Sequence, residues 1–273
     1  MTNATTGTRR LAIRGASLET RWIGPPPNEA PSIVMLHEGL GSLGLWGQFP
    51  EALAGATGCG VFAWSRAGYG GSDPASLPRP LTYMHDEALQ ALPLLLDTIG
   101  FRHGILLGHS DGASIATIYA GGVQDHRIRG LALIAPHFFV EDVSIASIER
   151  ARVAYEKADL RDRLAKHHAN VDVAFRGWND TWLNPGFRSW DIRESIGYIR
   201  VPILIVQGTE DQYGTDAQIQ AARDEAYCPV DAVMISGAGH AAHLERPAET
   251  LAAVAEFVNT LLAVDQKAKP VQQ

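Results

Sequence analysis

The chain has 273 residues, 46% apolar and 19% charged, with a formal net charge of −7. That excludes a disordered chain and allows a single domain, or one with an insertion, whose core needs no disulfide or metal staples. The negative charge argues against a nucleic-acid partner and against binding to an anionic membrane surface, since both require a basic face.

The polar start, residues 1–10, has no apolar stretch of the kind a secretory signal carries. Residues 9–14 and 18–23, separated by Gly15, pattern as an opening antiparallel pair, and Gly24-Pro25-Pro26-Pro27 then breaks regular structure. Six short apolar runs follow, at residues 32–36, 60–64, 104–107, 131–134, 203–206 and 232–235. Continuous apolar runs of this length suit parallel strands buried on both faces, with helices crossing between them. The expected fold is therefore α/β, a mostly parallel eight-stranded sheet with helices on both faces.

Between the second and third runs of that series, His85, Ala88, Leu89, Leu92, Leu95, Leu96 and Ile99 recur at helical spacing, with Pro93 inside the pattern predicting a kink or two abutting helices. A closing helix is expected over 248–262. No buried strand is evident between Pro136 and Ile199, a stretch rich in charge, Trp and His, which implies an inserted helical cap. The expected organisation is a core of 1–136 and 199–264, a cap of 137–198 and a fraying polar tail of 265–273. No apolar run approaches the roughly 20 residues of a membrane helix. Cys59 and Cys228 are distant and form no Cys-x-x-Cys, which suits reduced thiols and a cytoplasmic location.

Gly108-His109-Ser110-Asp111-Gly112 follows the strand 104–107 and opens a small-residue helix. Gly-x-Ser-x-Gly between strand and helix is a nucleophile elbow, and its glycines are needed where side chains would clash across the turn. The competing reading is a glycine-rich turn whose serine only caps the helix. A serine nucleophile needs a base and an orienting acid, in the chain order Ser, acid, His. Asp211 follows the strand 203–206 and His240 follows 232–235, so both fall at strand carboxyl ends beside Ser110. Glu210, Glu141 and Asp142 are weaker acid candidates, and His243 is a weaker base. The expected oxyanion donors are the backbone amides of Asp111 and of Gly39, in the turn after the strand 32–36. Gly39, Gly41 and Gly44 also fit a dinucleotide fingerprint, but the next strand ends Trp64-Ser65-Arg66 without the acid that site needs. No metal site is expected: His167 and His168 are adjacent, about 100° apart on a helix, and no His-Glu-x-x-His occurs.

From residue 9 to 262 the chain resembles the α/β-hydrolase superfamily with a helical cap. The resemblance rests on His37-Glu38-Gly39-Leu40-Gly41-Ser42, Arg66-Ala67-Gly68-Tyr69-Gly70-Gly71-Ser72, the elbow, the Asp211 turn and Gly239-His240. Glu38 replaces the glycine of the usual His-Gly opening. Ser110-Asp111-Gly112 is similar to the elbow of the biphenyl-hydrolase-like group, which includes valacyclovir hydrolase. In that group the acid after the nucleophile receives the substrate's amino group, a role the resemblance offers Asp111. The competing reading is that Asp111 caps its helix or bonds a neighbour. Caps in this superfamily roof the active site, so Trp178, Trp182 and Phe138 join Glu38, Trp46 and His109 as candidate substrate contacts.

These features imply a cofactor-free serine hydrolase acting on a small-molecule carboxylic ester, amide, lactone or thioester, as a monomer or homodimer without a membrane partner. The alternatives are carbon–carbon bond hydrolysis or lyase chemistry on the same triad, with Arg152 or Arg176 holding an acidic substrate, and a non-catalytic small-molecule-binding protein.

Overall fold

The computed structural model describes residues 7–268. Eight strands form one sheet: β1 Arg9–Ile13, β2 Ala16–Ile23, β3 Ser32–Leu36, β4 Gly60–Trp64, β5 Gly104–His109, β6 Ile128–Ile134, β7 Ile203–Gly208 and β8 Val230–Ile235. Their spatial order is β1-β2-β4-β3-β5-β6-β7-β8. The β1–β2 and β2–β4 pairings are antiparallel and the other five are parallel. Every parallel pair is bridged by chain that crosses a sheet face, as parallel pairing requires.

Eleven α-helical segments are described: α1 Phe49–Thr57, α2 Tyr83–Asp86, α3 Leu92–Thr98, α4 Asp111–Val123, α5 Asp142–Lys157, α6 Leu160–Ala165, α7 Val171–Trp182, α8 Arg193–Gly197, α9 Ala217–Glu225, α10 Ala242–Glu245 and α11 Pro247–Ala268. The period-2 alternation of the strands sorts the core into two layers. Ile33 and Met35 of β3 and Val61 of β4 pack with Leu53 of α1 and Val254 and Val258 of α11. Val34 and Leu36 face the opposite way, toward Ala116 of α4, Leu95 of α3 and Ile219 of α9. Helices α5 to α8 fill the stretch between β6 and β7 where the sequence shows no strand. Of these, α8 lies directly on α4, where a β-carbon on Gly121 would stand 2.2 Å from the Ser195 carbonyl oxygen.

The departures from the sequence reading have local causes. The helical pattern around Pro93 is three segments, because residues 87–91 form a π-helical turn between α2 and α3. Proline lacks the N–H that would close the α-helical ladder and crowds the preceding turn. The register shift leaves Leu89 44% exposed, while Ala88, Leu92, Leu95 and Leu96 stay inside. Strand β8 is the sheet edge, so it is only partly buried and Met234 is exposed. Helix α11 continues to Ala268, past the expected end at 262, since no Gly or Pro stops it; residues 269–273 of the expected tail lie outside the described residues. No described helix is long and apolar enough to cross a membrane.

Candidate active site

Strand β5 passes into α4 through a single residue, Ser110, with φ 52° and ψ −116°. A non-glycine residue is rare in this left-handed half of backbone space. Close packing enforces the turn. A β-carbon on Gly108 would stand 2.4 Å from the Gly112 carbonyl oxygen, and one on Gly112 2.0 Å from that of Leu36. The Ser110 amide donates to the Ile134 carbonyl at 2.9 Å, anchoring the turn to β6. Ser110 occupies the N-cap position of α4 yet makes no side-chain capping bond, so the reading of a mere helix cap fails.

Asp211 and His240 lie in the turns after β7 and β8. His240 Nδ1 is 2.9 Å from both Oδ1 and Oδ2 of Asp211. The carboxylate accepts further bonds from the Tyr213 amide at 2.8 Å and from Gln207 Nε2 at 2.7 Å. Burial pushes the Asp211 carboxyl up, but His240 and the Tyr213 amide outweigh it and hold it below the ordinary carboxylate range. Glu210 is exposed, and Glu141 is committed to Thr215 and Gln218. His240 packs among the rings of Tyr213, His109 and His137, at 4.8, 5.1 and 5.5 Å. Among the described residues no hydrogen bond joins Ser110 Oγ to His240, a link that is often loose before substrate binds.

The turn after β3 brings Gly39 beneath α7: a β-carbon there would stand 2.2 Å from Trp178 Cδ1. Among the described residues, no protein acceptor takes the amide of Gly39 or of Asp111. The turn is fixed through the Glu38 carbonyl, which accepts from His37 Nδ1 at 2.7 Å and from Arg66 Nη2 at 3.0 Å. His37 Nε2 accepts the Arg66 amide at 3.0 Å, so this imidazole is fully paired and neutral; burial drives its pKa far down. From the inserted helical stretch, His168 donates to the Leu40 carbonyl at 2.9 Å and accepts the Gly70 amide at 3.0 Å. It ties that stretch to both glycine-rich loops.

The side chain of Asp111 turns inward. It accepts from Tyr83 Oη at 2.5 Å and from Trp182 Nε1 at 3.2 Å, with Arg66 Nη2 at 3.9 Å. Burial pushes its carboxyl up, against the opposing pull of Arg66, Tyr83 and Trp182.

The sequence matches the Alpha/beta hydrolase family over residues 33–254. The chain belongs to this family. Among curated proteins this alpha/beta hydrolase is 31% identical over 136 residues to the human (Lyso)-N-acylphosphatidylethanolamine lipase, a match spanning 50% of this chain and 39% of that protein. It thus covers well under half the length of that relative. Among solved structures it is similar to a hydrolase from Pseudomonas aeruginosa, with a TM-score of 0.72 and 21% identity over 93% of this chain and 98% of that one. An enol-lactonase from Burkholderia xenovorans gives a TM-score of 0.70 and 23% identity, over 91% and 99% of the two chains. An esterase from Rhodococcus gives 0.70 and 17%, over 93% and 99%. At these identities the structures share the fold.

Within this alpha/beta hydrolase the expected site residues separate into those brought together and those set apart. Ser110, Asp111, His109, Asp211, His240, Glu38 and Gly39 gather at the carboxyl edge of the sheet. Trp178 and Trp182, four apart on α7, present one face to the Gly39 turn and to Asp111. Trp46 is buried behind His109 and His243. Phe138 is fully buried in the core, and its neighbour His137 is the ring that reaches His240. Gln207, His137 and His168 were not legible as site residues. Gln207 falls just past the expected strand 203–206 with no signal of its own, and the two histidines carry no motif.

Proposed function

We propose that this alpha/beta hydrolase is a serine hydrolase that cleaves a small carboxylic ester, amide, lactone or thioester through an acyl-enzyme on Ser110. The observation that carries the reading is Ser110 itself, held at a positive φ without capping its helix. Strain of this kind persists where the surrounding structure over-determines it, typically at functional sites.

In the proposed mechanism Ser110 Oγ attacks the carbonyl carbon and its proton passes to His240 Nε2. Asp211, paired with Nδ1, orients the ring and stabilises its charge. The tetrahedral oxyanion rests on the Gly39 and Asp111 amides, helped by the amino-terminal potential of α4. His240 returns the proton to the leaving alcohol, water attacks the acyl-enzyme, and His240 again accepts and returns a proton. Helices α5 to α7 serve as the cap, with Trp178 roofing the oxyanion turn. An esterase, an enol-lactonase and a lipase among the similar proteins support this chemistry. The acidic-substrate alternative loses support because Arg152 is engaged with Asn179 and Asp180, and Arg176 is exposed.

The test is hydrolysis of p-nitrophenyl acetate, butyrate and octanoate, with fluorophosphonate labelling, by the wild type and Ser110→Ala. The expected result is labelling at Ser110 and at least about a thousandfold loss of turnover in the variant. Equal turnover, or no labelling of the wild type, overturns the proposal.

A further inference from the structure

Helix α5, the first of the inserted stretch, carries Ser144 and Ser147 three residues apart, and both are buried. A buried hydroxyl inside a helix gains nothing over alanine unless it bonds outside that helix. Both reach across to the loop after β7. Ser144 Oγ donates to the Tyr213 carbonyl at 2.5 Å, and Ser147 Oγ donates to the Gln212 carbonyl. Arg150 Nη2 donates to Ser147 Oγ at 2.7 Å, so that oxygen already accepts and its one proton goes to the loop. Glu141, three residues before Ser144, accepts the amide and the hydroxyl of Thr215. Residues 141, 144 and 147 thus form one row that holds the loop from Thr215 back to Gln212.

The far side of the same peptides faces Asp211. In a planar trans peptide the C=O and the N–H point opposite ways. The Gln212 carbonyl shares its peptide with the Tyr213 N–H, which donates to Asp211 Oδ1 at 2.8 Å. The Tyr213 carbonyl shares its peptide with the Gly214 N–H, which donates to the same oxygen at 3.3 Å. Each serine therefore grips one end of a peptide whose other end grips the carboxylate. Hydrogen bonds in series polarise one another, so a donor on each carbonyl strengthens the N–H beyond it. The Tyr213 ring also lies against His240, at 4.8 Å. We propose that Ser144 and Ser147 are positioning residues for Asp211: through these two peptides they hold its carboxylate ionised and in line with His240 Nδ1. The proposal rests on the reading of Ser110, His240 and Asp211 as a triad. The inserted stretch then does more than roof the oxyanion turn, since its first helix seats the acid.

Hydroxyls that only satisfied two buried carbonyls would affect stability without depending on Asp211, and a double-mutant cycle separates the two roles. The rate of fluorophosphonate labelling at Ser110 is measured for the wild type, Ser144→Ala/Ser147→Ala, Asp211→Ala and the triple variant. The serine pair is expected to slow labelling about ten- to a hundredfold where Asp211 is present, and by less than about twofold where it is absent. Equal losses in both backgrounds, or no loss with Asp211 present, overturn the proposal. Each single serine variant supplies the same cycle should the double variant not fold. A second readout needs no nucleophile. In Ser110→Ala the proton between His240 Nδ1 and Asp211 is followed by its downfield NMR resonance, identified by its disappearance in Asp211→Ala. Adding the serine substitutions is expected to move that resonance upfield or broaden it by exchange, and a resonance they leave unmoved overturns the proposal. An unlabelled wild type with a resonance that responds to the serines supports the positioning role while removing Ser110 as nucleophile.

Discussion

A β-carbon in the conformation Ser110 adopts costs on the order of 1–3 kcal/mol. Glycine relieves that strain, although its freer unfolded chain returns about 0.4–1 kcal/mol of the gain. Ser110→Gly is therefore expected to melt at or above the wild-type temperature while losing ester turnover, and calorimetry beside an activity assay reads both. A clearly lower melting temperature would mean that Ser110 is not strained. Gly112→Ala is the converse case. Its methyl group would enter the Leu36 carbonyl oxygen, where only backbone can give way. The expected result is a loss of several kcal/mol in urea unfolding, at the severe end for single substitutions.

Among the elements, α7 matters most for the site. Its Trp182 supplies one of the two direct hydrogen bonds that the described residues make to the buried Asp111 carboxylate, and Asp111 begins α4. Trp182→Phe keeps the ring packing against Phe187 and Trp190 but removes the Nε1 donor. A buried acceptor short of a donor costs about 1–3 kcal/mol. The variant should unfold at lower urea by that amount with an unchanged m-value, and an unaltered midpoint would place no weight on this bond. The strands around the site were legible from their apolar runs, four of the six beginning at the expected residue. Strand β5 runs two residues further than its apolar run, because Gly108 and His109 still pair with Leu133 and Ile134. A glycine in sequence signals a turn, but neighbouring strands can hold it in the ladder. The tryptophans of α7 were legible as aromatic residues at helical spacing. That one covers Gly39 and the other bonds Asp111 was not, because contacts across more than 70 positions leave no local pattern.

The whole molecule holds several neutral histidines in its interior, and this sets its response to acid. Burial drives His137 and His243 down to about 3, with His240 and His109 respectively adding to the effect. Between their ordinary value of 6.5 and about 3 the unfolded chain binds these protons and the folded chain does not. Stability therefore rises with pH across that window and is lost as pH falls through it, at up to about 1.4 kcal/mol per pH unit for each site. The expected observation is a steep acid limb in urea-derived stability below about pH 6.5. His243→Phe, filling a site already lined by the rings of Trp46 and Phe49, should make that limb shallower by up to one proton. A limb of unchanged slope would show that His243 is not held neutral.

The sequence by itself determined the α/β class, the strands, the position of the inserted helices and the residues Ser110, Asp211 and His240 at strand ends. These follow from short-range signals: period, run length, and glycines bracketing a serine. Tertiary structure decided what each of those groups faces. It turned Asp111 inward onto Tyr83 and Trp182, paired His37 into a neutral scaffold, brought the Glu38 carboxylate to 3.7 Å from His109 Nδ1, and set Phe138 in the core with His137 against His240. The physical reason is that hydrogen-bond satisfaction and burial depend on atoms brought together from distant parts of the chain. A residue type fixes which bonds a group can make, and only the packed neighbours fix which of them it makes.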